Sequence, residues 1–152
     1  MERRPGMGVL LQMLGGNEAT VEAHNAAVGK TISSVAIRKQ DEEGDVWEDA
    51  ILMHFTDGTG IRIWDGGQSC CEHRYMNCDD DLSYHVGAEF KGAEIRETEP
   101  EEDGEYGDVH EIEFLHLNTS KGVITVANHN LHNGYYGGFY VKIAPLPDPP
   151  TP

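Results

Sequence analysis

From Val109 onward the chain alternates apolar and polar residues across two short turns, and this stretch limits the possible folds more than any other. Val109 to Thr119 reads as one strand, Ser120-Lys121 as a turn, Gly122 to Asn130 as a second strand, Asn133-Gly134 as a second turn, and Tyr135 to Ala144 as a third strand. If both turns are two-residue connections, Leu117 faces Ile124 and Leu115 faces Val126. Across the second turn, Ile124 then faces Ile143, Val126 faces Val141 and Asn128 faces Phe139. Side chains alternate between the two faces of a sheet, so both turns agree on one apolar face. That face predicts a core containing Leu115, Leu117, Ile124, Val126, Val141 and Ile143. The opposite face would carry His116, Thr125, Ala127, His129, Gly138 and Tyr140, with His129 across from Gly138. Gly137-Gly138 is equally readable as a β-bulge.

Upstream, Asp57-Gly58 favours a type I′ hairpin between Trp47–Thr56 and Thr59–Trp64, because both central residues of that turn need positive φ. It predicts Leu52 opposite Ile63 and His54 opposite Ile61. Thr31 to Ile37 and Glu89 to Thr98 read as further strands. The Ala- and Val-containing segment Asn17 to Val28, with Asn17 as N-cap and Gly29 as stop, reads as one short helix. Asp80 to Val86 reads as a helical turn ended by Gly87. The expectation is a mainly β (α+β) domain of about seven antiparallel strands, with one short N-terminal helix. It spans residues 17–144, between a flexible segment at 1–16 and a Pro-rich tail at 145–152. The apolar run near the N-terminus is broken by Gln12 and lacks a small-residue cleavage site, unlike a secretion signal. No segment is long and apolar enough to span a bilayer as a helix.

Charge narrows the partners. With 11 Lys and Arg against 27 Asp and Glu, the chain carries a formal charge of -16, whereas phosphate contacts need clustered cations. Neither nucleic acid nor a membrane is expected as a partner. Sixteen of the 27 carboxylates fall in three short runs, at Asp41–Asp49, Asp79–Asp81 and Glu97–Asp108. Runs in Gly- and Pro-containing loops read as solvated rather than as a rigid mimic of DNA phosphates. The 3 cysteines are an odd number and Cys70 and Cys71 are adjacent, a geometry that disfavours a bridge between them and points to a reduced, intracellular protein.

All three cysteines lie in the segment Gly66 to Leu82, which has no hairpin pattern and where a site is expected. Cys70, Cys71, His73 and Cys78 are candidate metal ligands, with His129 and His132 nearby in type, but the spacing lacks the paired Cys-x-x-Cys arrangement of a structural zinc site. The plainer reading is that the thiols pack as small apolar groups. A nucleophilic thiolate is disfavoured, because Asp79 to Asp81 would raise a thiol pKa. Three consecutive carboxylates fit a helix cap better than a hydrolase pair with Glu72, and Asp79 or Asp80 before Leu82 suits the cap. No nucleotide-binding or Ser-His-Asp pattern is present, so no reaction is assigned. The binding reading uses Arg74, Tyr75, His129, Asn130, His132, Asn133, Tyr135 and Tyr136. Here the scarce cation Arg74 would hold an anionic ligand, or else form an internal salt bridge.

Gly67-Gln68-Ser69-Cys70-Cys71-Glu72-His73-Arg74-Tyr75-Met76, Asp79-Asp80-Asp81-Leu82 and His129-Asn130-Leu131-His132-Asn133-Gly134-Tyr135-Tyr136-Gly137-Gly138-Phe139 together resemble a family of small uncharacterised bacteriophage-associated proteins. That family is built on a Cys-Cys-Glu motif, an Asp-Leu motif and a closing Asn-Gly-Tyr-Tyr hairpin, and the resemblance runs from about Val28 to Ile143. It implies an accessory protein in the cytoplasm of an infected bacterial host. The expected function is a non-catalytic binder, needing no cofactor, that sequesters a small anionic molecule or occludes a host defence protein. A zinc-dependent enzyme or metal-binding protein and a minor virion component are the alternatives, and a homo-oligomer is left open.

Overall fold

The computed structural model describes residues 18–40, 48–66, 72–97, 101–103, 108–132 and 140–146. Helix α1 (Glu18–Ala27) leads into β1 (Ile32–Arg38), β2 (Ala50–Phe55), β3 (Gly60–Asp65) and β4 (Glu72–Asn77), followed by a 3-10 turn (Leu82–His85). Then come β5 (Phe90–Glu97), β6 (Glu101–Asp103), β7 (Asp108–Thr119), β8 (Gly122–His132) and β9 (Val141–Pro145). The strands form two antiparallel sheets, ordered β1-β2-β3-β9 and β4-β8-β7-β5, with β6 pairing β7. The protein is therefore mainly β with one short N-terminal helix. Of the sequence expectations, Asn17, the acidic loop at 41–47, Gly138 and most of the Pro-rich tail lie outside the described residues. β9 takes in Pro145, and Leu146 N–H donates to Gly60 O at 2.9 Å.

The β7–β8 hairpin turns at Ser120-Lys121 and sets Leu117 opposite Ile124 and Leu115 opposite Val126, as the alternation predicts. The next pairing is corrected. β9 runs beside β3, with Ile143 opposite Ile63 and Val141 opposite Asp65. The second edge of β8 belongs to β4, so Asn128 faces Met76 rather than Phe139, and His129 faces Tyr75 rather than Gly138. Alternation dictates which face a residue takes but not which neighbour its strand finds. Val141 and Ile143 reach the same core from the opposing sheet, and all six predicted core residues are buried.

The β2–β3 hairpin is corrected by one residue: Met53 faces Ile61 and Ile51 faces Ile63. Phe55 N–H donates to Thr59 O at 2.8 Å, and Gly58 has φ 88°, so the connection is a three-residue loop closed by a left-handed glycine. The Asp57 carboxylate accepts from Thr59 N–H and from its hydroxyl, which holds the acid near pKa 2. One added loop residue reverses the faces of the strand before it. Ile51 and Met53 therefore fill the core while Leu52 is half-buried.

Helix α1 and strand β1 tie the sheets together. Thr20 Oγ1 accepts from Ile143 N–H at 3.3 Å, and His24 Nε2 accepts from Ala93 N–H at 2.9 Å, so one helix face bonds to an edge strand of each sheet. His24 Nδ1 then carries the proton and donates to Asn25 Oδ1. Its ring lies 3.3 Å from where a Cβ on Gly92 would stand, and Gly92 occupies the β5 bulge with φ 118°. The start of β1 bonds to the residues leading into β5, through Ile32 N–H to Ala88 O and Gly87 N–H to Ile32 O. The residues just past its end reach β4.

Candidate functional site

Glu72–Asn77 lies within the cysteine-bearing stretch, which has no strand pattern of its own; the observed β4 is a correction to that reading. Its identity comes from its surroundings. On one side it pairs with β8, Arg74 opposite Asn130 and Tyr75 opposite His129. On the other side, side chains following β1 and preceding β2 satisfy its backbone. Met76 N–H donates to Asp49 Oδ2 at 2.8 Å, Lys39 Nζ donates to Met76 O, and Gln40 Nε2 donates to Arg74 O at 3.1 Å. Lys39 also pairs with Asp49 at 2.7 Å. Burial alone would raise the Asp49 pKa, but the hydrogen bonds from Lys39, Met76 and Gln40 outweigh it and hold the pKa below the ordinary value.

Alternation along β4, β8 and β7 places the candidate residues on two opposite faces. Inward lie Arg74, Asn130 and Glu111 in one row and Met76, Asn128 and Glu113 in the next, continuous with the apolar core rows of Val126 and Leu115. Arg74, Asn128, Asn130 and Glu113 are all buried, and Asp65 joins them from β3. The Arg74 guanidinium donates to Asp65 Oδ2 at 2.8 Å, Asn128 Nδ2 donates to the same oxygen at 3.2 Å, and Tyr140 N–H donates to Asp65 Oδ1 at 3.3 Å. The Tyr140 ring, with its centroid 5.4 Å from the guanidinium carbon, is more than half exposed. The cluster thus lies one residue in from the surface. Arg74 takes the internal salt bridge of the two roles open to it, since a buried Asp65 carboxylate needs a cation. Neither polar atom of the Asn130 amide has a hydrogen-bond partner among the described residues, although both are fully buried.

Outward lies a row of flat rings. Tyr75 and His129 stack with centroids 4.4 Å apart and planes 4° apart, His73 stacks on Tyr75 at 5.1 Å, and His110 stacks on His129 at 5.1 Å. His129 Nε2 is 3.0 Å from Asn77 Oδ1 and its Nδ1 is 2.9 Å from His110 Nε2. With the Asn77 oxygen accepting, His129 carries its proton on Nε2 and His110 donates to its Nδ1. Burial first, and then the His110 and Lys39 charges, lower the His129 pKa.

The structure thus brings Arg74 and Asn130 together on the inner face and Tyr75 and His129 together on the outer one. The sheet separates the two pairs, so they do not line a single pocket. Asn133, Tyr135, Tyr136, Cys70 and Cys71 lie outside the described residues, as does the side chain of His132. Of the remaining metal candidates, His73 is exposed in the ring row. Cys78 is half-buried, with its thiol 3.9 Å from Asp80 Oδ2. Burial pushes that thiol up, and the charges of Asp80 and Asp79 add to the effect. Among the described residues no group of three or more His, Cys, Asp or Glu side chains converges as a metal site. No helix among them is long and apolar enough to cross a membrane. Asp81, rather than Asp79 or Asp80, caps the 3-10 turn by accepting from Ser83 N–H. The sequence reading missed Asp65, Glu113 and Asn128. Asp65 carried a signal, being the one acid in the alternating series Ile61, Ile63, Asp65.

A family model for a domain of unknown function, DUF7448, matches residues 25–141, and the chain belongs to that family. No curated protein and no solved structure matches the chain.

Proposed function

We propose that this DUF7448 chain is a non-catalytic binding protein whose ligand is a small molecule held at the polar end of the interior, beside Asp65, Arg74, Asn128 and Asn130. One observation carries the reading: Arg74, Asp65, Asn128, Asn130 and Glu113 are buried at one end of an interior that is otherwise mainly Ile, Leu, Val, Met, Ala and Phe. Burying such groups costs more than burying apolar ones of the same size, and small-molecule sites combine an apolar lining with a few placed polar groups. The setting implied by the motif resemblance belongs to the same proposal: an accessory protein in the cytoplasm of a phage-infected cell, sequestering a host metabolite or signal.

Native mass spectrometry of the chain after incubation with a small-molecule extract of bacterial cells tests the reading. The expected result is one bound molecule per chain, absent from Asn130→Leu. A bare mass under every condition would remove the reading and leave occlusion of a host protein as its replacement.

A further inference from the structure

The partners of the buried polar groups set the chemistry of a ligand held among them. The Arg74 charge is matched by Asp65 at 2.8 Å, and both Asp65 oxygens are engaged, by Arg74 and Asn128 on one and by Tyr140 N–H on the other. The fully buried Glu113 stands in the next row, opposite Asn128. An anion placed here would stand beside the Asp65 carboxylate, and the Arg74 cation is already paired with that carboxylate. The chemistry favours an uncharged ligand over the anionic one expected from Arg74 alone.

Asn130 supplies the specificity. Its amide oxygen and amide nitrogen are buried and make no hydrogen bond among the described residues. It lies between Arg74 and Glu111 in register, on the inward face. A carboxamide left this way destabilises the fold, and the cost is recovered by a partner that offers a donor and an acceptor side by side. A cis-amide edge, N–H beside C=O, does so in one plane, as the paired edges of amides and nucleobases do. We infer that Asn130 reads the cis-amide edge of a neutral planar ligand of the lactam or nucleobase class, an inference that rests on the interior site being a binding site at all.

Uracil is the smallest probe carrying that edge, and inorganic phosphate is its anionic counterpart. Calorimetric titration of the whole chain is expected to show saturable one-to-one binding of uracil and none of phosphate, with Asn130→Leu binding uracil at least about tenfold more weakly, as sites built to hydrogen-bond a ligand do on losing the pair. The same substitution should leave thermal stability equal or higher, because it removes unmatched polar atoms without removing a protein partner. Should Asn130→Leu fail to fold, the Asn130 side-chain amide resonance of the wild-type chain, followed during uracil titration, reports the same contact. Phosphate binding unaffected by Asn130→Leu, or no uracil binding at millimolar concentration, overturns the ligand class. If a molecule without an amide edge is nonetheless retained in the mass-spectrometric experiment, the binding site stands and only its chemistry is wrong. If nothing is retained and no probe binds, both readings fall.

Discussion

Arg74 shows how one residue's role follows from what surrounds it. Its side chain and that of Asp65 are each 3% exposed, so truncating the cation leaves a buried carboxylate without its counter-charge. Arg74→Ala is expected to cost about 3–5 kcal/mol in urea denaturation, whereas Arg74→Met combined with Asp65→Asn recovers most of that loss. A cost under about 1 kcal/mol for Arg74→Ala would show that the pair is solvated. His129 makes the opposite kind of prediction, one about pH. Its folded pKa lies below the ordinary 6.5, so between the two values the unfolded chain binds the extra proton and the folded chain does not. The sign of the linkage then makes its contribution complete above 6.5, and the contribution is lost as pH falls from 6.5 through the lowered value. Denaturation midpoints from pH 8 to pH 5 should therefore fall more steeply for the wild type than for His129→Gln. Parallel profiles would remove His129 as the source.

At the scale of elements, β4 depends on residues distant from it in sequence. Asp49 accepts Met76 N–H, and Lys39 and Gln40 donate to the Met76 and Arg74 carbonyls, so an edge that would otherwise be open to pairing with another chain is closed. Asp49→Ala should destabilise the fold by about 1–3 kcal/mol and speed amide exchange at Met76 most of all. Acid should mimic the substitution: a carboxyl held below its ordinary 3.8 stabilises the fold above that pH and releases the strand as pH falls further. This dependence explains why β4 was illegible in the sequence. Glu72-His-Arg-Tyr-Met-Asn does not alternate apolar with polar, since one of its faces carries Arg74 beside the core residue Met76 and the other carries the rings of His73 and Tyr75. The β7–β8 hairpin was legible because its turn and its alternation are both local. The β8–β9 pairing was misread because Val141 and Ile143 have the right alternation for either sheet. The β2–β3 register failed by one residue because Asp-Gly serves a three-residue loop as well as a two-residue one. Arg74 and Asn130 were singled out by type, but only the pairing of β4 with β8 separates their face from that of Tyr75 and His129.

The whole molecule sets these buried contacts against a large excess of surface charge. A chain with a net charge of -16 and sixteen of its 27 carboxylates in three short runs repels itself in the folded state more than in the expanded one. Exposed or half-exposed ion pairs such as Lys30–Asp57 at 3.1 Å, Arg96–Glu94 at 3.0 Å and Lys91–Glu89 act the other way, but pairs of that kind contribute little each. Salt screens both, and the repulsion is the larger of the two because it sums over many charges at separations near the screening length of about 10 Å at 0.1 M. Raising sodium chloride from about 0.05 to about 0.5 M, which shortens that length to a few ångströms, should therefore raise the urea midpoint of the wild-type chain. The buried Arg74–Asp65 pair provides the internal control. Solvent ions do not reach it, so the deficit of Arg74→Ala relative to wild type should stay constant as both midpoints climb. A midpoint that falls with salt would mean that surface pairs outweigh the acidic runs. A deficit that shrinks with salt would mean that the polar end of the interior is open to solvent ions, and the argument against an anionic ligand would then fall.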